Sequence, residues 1–130
     1  MTYTLTKQFR FEAAHQLPNV PEHHPCFRLH GHSFVVEIQV GADELDEVDG
    51  FVMDYKHISK YTKPIIKSLD HQLLNDFLPN PTSEHLCEYI ANEWLKRARK
   101  DQTDNTVYLE AVTVSETINT NCRLTLNELI

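Results

Sequence analysis

Two histidines flank a glycine in His30-Gly31-His32, a third, His15, closes an earlier stretch, and Cys26 lies four residues before His30. Neutral imidazoles are the commonest metal ligands. A thiol beside a metal or a protonated imidazole is acidified and becomes available as thiolate near neutral pH. Asp70-His71 places a carboxylate next to a fourth histidine, either to orient its ring for proton transfer or simply to cap a helix end. Glu116 is either a ligand-binding carboxylate or an edge charge. His23, His24, His57 and His85 have no spacing that demands a role, and they are read as solvated loop or surface imidazoles.

Strand parity decides whether the first group meets. Phe9, Phe11, Ala13, His15 and Leu17 share one parity, and Gln8, Arg10, Glu12 and Gln16 the other, the pattern of a half-buried strand. Pro18, Pro21 and Pro25 stop it. A second run then puts His30, His32, Phe34, Val36, Ile38 and Val40 on one face. Residues two apart on a strand point the same way, so both imidazoles project with the apolar set. Pairing the two strands brings His15 within reach. Three neutral imidazoles in a partly dry pocket cost stability without a partner. A zinc ion removes that cost, and three histidines leave its fourth position open, as in catalytic sites. Core histidines satisfied by hydrogen bonds are the competing reading. Cys26 has three readings: base, nucleophile, or fourth ligand of a closed structural site. Gly31 either permits close approach or is a flexible turn.

The remaining elements frame these strands. Asp54 can cap a helix with Tyr55, Ile58, Thr62, Ile65, Ile66 and Leu69 at helical spacing, and Pro64 should kink or split it. Asn75 to Pro81 reads as loop. Thr82 caps a second helix, with Glu84 in its first turn and a buried stripe of Leu86, Ile90, Trp94 and Ala98. After the polar stretch Arg99 to Asn105, Val107–Glu116 reads as a third strand. Asn119-Thr120-Asn121 turns into a fourth, Cys122–Leu126. The expected class is α+β: a four-stranded antiparallel sheet with two helices on one face, in ββααββ order.

Bulk properties narrow the function. With 130 residues, 41% hydrophobic and 24% charged, the chain is expected to form one globular domain over residues 1–130. The net charge of −7 disfavours nucleic-acid and anionic-membrane partners. An anionic substrate would need a local basic cluster, for which Lys7, Arg10 and Arg28 are candidates. Three cysteines, Cys26, Cys87 and Cys122, are too few and odd in number for a disulfide framework and are read as reduced thiols. No run approaches a membrane span of about 18 apolar residues, and Met1 to Arg10 lacks the apolar block of a signal peptide. The expected address is cytoplasmic.

The segments Phe11-Glu12-Ala13-Ala14-His15 and Cys26-Phe27-Arg28-Leu29-His30-Gly31-His32 carry a resemblance. With Leu69-Asp70-His71, Asn80-Pro81-Thr82-Ser83-Glu84 and Ser115-Glu116-Thr117 in the same order, the chain resembles the 6-pyruvoyltetrahydropterin synthase and 6-carboxytetrahydropterin synthase family over nearly its whole length. The resemblance implies that His15, His30 and His32 bind Zn2+. It further implies that Cys26 is the catalytic thiol, Asp70 and His71 its proton-transfer partners, and Glu116 the anchor for the amino-pyrimidine edge of a pterin. Thr117, in the same motif, and Arg28, as part of a triphosphate-binding patch, complete the substrate-binding set. The implied fold is the tunnelling fold, in which subunits join sheets into a barrel, usually as a hexamer with sites between subunits.

The three residues between Cys26 and His-Gly-His resemble the 6-carboxytetrahydropterin synthase branch of queuosine and deazapurine biosynthesis. That branch converts 7,8-dihydroneopterin triphosphate to 6-carboxytetrahydropterin, acetaldehyde and triphosphate. The alternatives are the pyruvoyl-forming enzyme, which eliminates triphosphate without releasing acetaldehyde, and a non-catalytic zinc-stabilised binding module. Gln16 departs from the arginine common in relatives.

Overall fold

The computed structural model describes residues 1–101 and 106–130. Two long strands come first, β1 (Tyr3–His15) and β2 (His30–Ala42), followed by helix α1 (Tyr55–Leu69) and a two-residue strand, β3 (Gln72–Leu73). Helix α2 (Ser83–Asp101) and strands β4 (Tyr108–Thr117) and β5 (Thr120–Leu129) complete the chain. One sheet results, in the order β3-β1-β2-β4-β5.

The antiparallel register of β1 on β2 pairs like parity with like: Phe9 with Val36, Phe11 with Phe34, Ala13 with His32 and His15 with His30. Every apolar residue of the shared face therefore points to one side. Phe34, Val36, Ile38 and Val40 are fully buried there, and the rings of Phe11 and Phe34 stack at 4.8 Å. The apolar stripes of both helices close over this face, α1 against β1 and α2 against β4 and β5. Trp94 fills the gap between the helices, and its indole N–H donates to Thr62 Oγ1 at 3.0 Å. The helix starts follow the capping chemistry. Asp54 accepts from the Lys56 N–H at 2.9 Å and Thr82 Oγ1 from the His85 N–H at 3.2 Å.

The sheet differs from expectation in having five strands and being mixed. β3 pairs with β1 in parallel through Ala13–Gln72 and Ala14–Leu73. A two-residue bridge has no periodicity to read, and it forms because tertiary anchors at its ends lay it against β1. α1 runs unbroken through Pro64, which faces solvent on the helix's exposed side. There the Lys60 carbonyl that lacks an N–H partner can be hydrated. The final hairpin turns at Ile118-Asn119 rather than one residue later, so β5 starts at Thr120. Residues 102–105 of the polar stretch after α2 lie outside the described residues. Among the described residues no helix is long and apolar enough to cross a membrane.

All three cysteines are free. Cys87 is buried beneath β5 with its thiol donating to the Cys122 carbonyl at 3.4 Å, and burial pushes that thiol up to about 12. It is a packing residue. Cys26 sits in a different setting.

Candidate metal centre

The β1–β2 register ends on the pair His15–His30, two positions beyond Ala13–His32 and on the same face. Three imidazoles thereby meet at one end of the buried face, with ring centroids 4.6, 4.9 and 5.1 Å apart. Each offers a ligand nitrogen, and these atoms lie within 4.8 Å of one another, the spacing of a set that one ion can gather. His15 is 1% exposed.

Backbone carbonyls fix the rings. His15 Nδ1–H donates to the Pro81 carbonyl at 2.8 Å, and His30 Nδ1–H to the Arg28 carbonyl at 2.7 Å. A carbonyl only accepts, so Nδ1 carries the proton in each ring and Nε2 keeps its lone pair. Metal-binding histidines are usually held in this way. Burial lowers the pKa of His15, with the neighbouring His30 and His32 adding to it against the opposing Pro81 hydrogen bond and Glu116 charge. The neutral, ligating form is favoured as a result. Yet His15 Nε2 and His32 Nε2 are buried with no hydrogen-bond partner among the described residues. Unpaired buried nitrogens are costly. A bound cation would satisfy both, so the donor set fits a metal.

Cys26 lies in a short 3-10 turn, Pro25–Phe27, and is half-buried. Its carbonyl accepts from the Leu17 N–H at 2.8 Å, tying the turn to the end of β1, and its N–H donates to His24 Nδ1 at 3.0 Å. His24 thus caps the thiol-bearing turn, a role its spacing did not signal. Cys26 is not among the three gathered ligand residues. Gly31 would place a Cβ 3.4 Å from the Ala13 carbonyl oxygen, an ordinary contact, so packing on β1 does not by itself require glycine.

The Asp70-His71 pair both ends a helix and holds a ring. Asp70 is the C-cap of α1, its N–H donating to the Ile66 carbonyl at 2.9 Å. Its Oδ1 accepts the Glu12 N–H at 2.8 Å, and its Oδ2 lies 2.9 Å from His71 Nδ1. Those two bonds, the Glu12 one first, hold the carboxyl below its ordinary value. His71 adopts left-handed backbone, φ 59°, where glycine is usual after a helix, and its N–H donates to the Glu12 carbonyl at 2.6 Å. Its side chain is 78% exposed and lines an open groove with Glu12, Ala14, Gly31, His32 and Ser33. Among the described residues no hydrogen bond or ion pair links this pair to Cys26, His15 or His30.

Glu116 comes from near the end of β4, half-buried. Its Oε1 accepts from Ser83 Oγ at 2.9 Å, and its Oε2 lies 3.6 Å from His32 Nε2, an ion-pair distance rather than a hydrogen bond. Thr117 is exposed and its hydroxyl meets that of Thr120 across the hairpin at 2.7 Å. The Arg28 side chain is exposed and its backbone carbonyl is what serves the site. Ser83 and Pro81 had no assigned role in the sequence reading. They stood within the Asn80-to-Glu84 segment, and no spacing rule singles out a hydroxyl or a carbonyl that acts on a neighbour.

The fold has counterparts among known proteins. The sequence model described as 6-pyruvoyl tetrahydropterin synthase matches residues 4–127. The chain belongs to that family. It is 43% identical over 96 residues to a 6-carboxy-5,6,7,8-tetrahydropterin synthase of Synechocystis, covering 68% of this chain and 71% of that protein. A 6-carboxy-5,6,7,8-tetrahydropterin synthase of Aquifex aeolicus is 36% identical over 89 residues, 58% of this chain and 54% of that one. The structure of Caenorhabditis elegans 6-pyruvoyl tetrahydropterin synthase superposes with a TM-score of 0.80 at 21% identity, covering 97% of this chain and 96% of that one. The α+β architecture is thus the tunnelling fold.

Proposed function

We propose that this protein is a zinc-dependent 6-carboxy-5,6,7,8-tetrahydropterin synthase of queuosine and deazapurine biosynthesis. It converts 7,8-dihydroneopterin triphosphate and water to 6-carboxytetrahydropterin, acetaldehyde and triphosphate. The observation that carries the reading is the imidazole triad, His15 buried and His30 and His32 half-buried: two buried nitrogens without a hydrogen bond beside a third, joined to relatives that bear this name. Zinc bound there would act as a Lewis acid and acidify the substrate oxygen it holds.

The chain's own residues do the rest. His15, His30 and His32 hold the metal, the first two with rings set by the Pro81 and Arg28 carbonyls. Cys26 removes or returns a proton on the substrate side chain. Asp70 grips Nδ1 of His71 and leaves its far nitrogen free to exchange a second proton. Glu116 accepts paired hydrogen bonds from the guanidine-like edge of the pterin, with Thr117 at its side. Arg28, together with Lys7 and Arg10, draws the triphosphate despite the overall negative charge.

The exposed His71 pair, unconnected to the triad by hydrogen bonds among the described residues of one subunit, supports a homo-oligomer, a hexamer in this reading, in which one subunit's pair completes another's metal site. The small-molecule substrate and the net charge of −7 suit a cytoplasmic enzyme with no nucleic-acid partner. The pyruvoyl-forming reaction is the nearest alternative. Incubation with dihydroneopterin triphosphate and an assay for acetaldehyde separates the two. Acetaldehyde equimolar with triphosphate is expected, whereas triphosphate alone would transfer the chain to the pyruvoyl branch. Folded protein that binds zinc through Cys26 and releases neither would make it a binding module.

A further inference from the structure

The ligand His15 sits at a weak point of the fold. It belongs to the last pair of the β1–β2 ladder, opposite His30, where a strand end frays most readily. Its ring is held by the Pro81 carbonyl, and the Leu17 N–H bond to the Cys26 carbonyl ties the chain two residues on, but neither holds the opposite edge of the strand end.

The other edge of β1 supplies what is missing. Alternate residues of a strand turn their backbone groups to the same edge. At Glu12 that edge is bonded by Asp70 and His71, and at Ala13 and Ala14 it is covered by β3. β3 ends there, one residue short of the ligand. Asn75, in the 3-10 turn Leu74–Asp76, takes over. Its Oδ1 accepts the Gln16 N–H at 2.9 Å and its Nδ2 donates to the Gln16 carbonyl at 2.8 Å. A primary amide carries a donor and an acceptor on one plane, so a single side chain imitates one more residue of a neighbouring strand. Gln16 directly follows His15. Both bonds are partly buried, so losing the amide leaves two backbone groups unpaired.

We propose that Asn75 is a positioning residue of the metal centre, its amide pinning the end of β1 so that His15 stays in its ligating pose. The proposal rests on the metal reading of the triad. A ligand that occupies its pose only part of the time lowers affinity by that fraction.

The test measures zinc affinity by competition with a chromophoric chelator, for the unaltered chain, Asn75→Ala and Asn75→Asp. The second variant keeps an acceptor for the Gln16 N–H but sets an oxygen against the Gln16 carbonyl. Melting curves without zinc accompany each. Both variants are expected to stay folded and to bind zinc about tenfold more weakly, the scale of losing a ligand's outer support. A merely structural amide would lower the melting temperature and leave the zinc affinity of the folded protein unchanged, which overturns the proposal. Failure of both variants to fold overturns it too, since the amide then serves the fold. No zinc binding by the unaltered chain would instead sink the metal centre itself.

Discussion

The triad, where β1 and β2 end together, and the Asp70-His71 pair, bonded to Glu12 of β1, place histidines in opposite physical situations. In the triad the rings turn inward, His15 is nearly solvent-free, and two nitrogens lack hydrogen-bond partners among the described residues. In the pair the ring lies outside, 78% exposed, with a carboxylate at 2.9 Å already serving one nitrogen. Burial disfavours the charged form and suits a ligand. Exposure beside a carboxylate permits charge and suits proton exchange. A buried nitrogen without a hydrogen bond in the first case, and an exposed ring with one nitrogen bonded in the second, are what separate the two regions.

Three experiments can break this contrast. His30→Ala should do most: zinc affinity falls by more than about 100-fold, beyond the loss of any outer partner, and turnover goes with it. Stoichiometric zinc in that variant would remove the triad from the centre. His71→Ala should cost about 100-fold in turnover, the lower end of a general acid–base contribution, with zinc content unchanged. Loss of zinc in this variant would erase the distinction between the two regions. Asp70→Asn should have the smallest effect, a lower melting temperature that depends on pH. The folded carboxyl titrates below its ordinary 3.8, so on acidification the unfolded chain takes up the proton first. The stabilisation is therefore present above about 3.8 and is lost as pH falls through the lower folded value. The melting-temperature gap between Asp70→Asn and the unaltered chain should close over that window. A gap independent of pH would show that the carboxylate charge is not what the Glu12 N–H and His71 recognise.

Much of this was legible beforehand because side-chain parity on a strand is a local property. His15, His30 and His32 share parity with Phe11 and Phe34, and the apolar face that buries the phenylalanines buries His15 and half-buries His30 and His32. The helix caps at Asp54 and Thr82 were readable for the same reason, since a cap bonds within a few residues of itself. β3 was not readable, and neither was the clamp of Asp70 and Asn75 on β1. Their partners, Glu12 and Gln16, are 58 and 59 residues away, and what they bind is backbone, which every residue possesses.

From the sequence alone came the choice of the three histidines as candidate ligands and the face they occupy, because alternation is set by each strand's own residues. The tertiary structure decided the register that makes His15 meet His30, the carbonyls that orient both rings, and the exposure of His71. Those depend on hydrogen bonds between segments far apart in the chain, and no local pattern of side chains encodes a distant carbonyl.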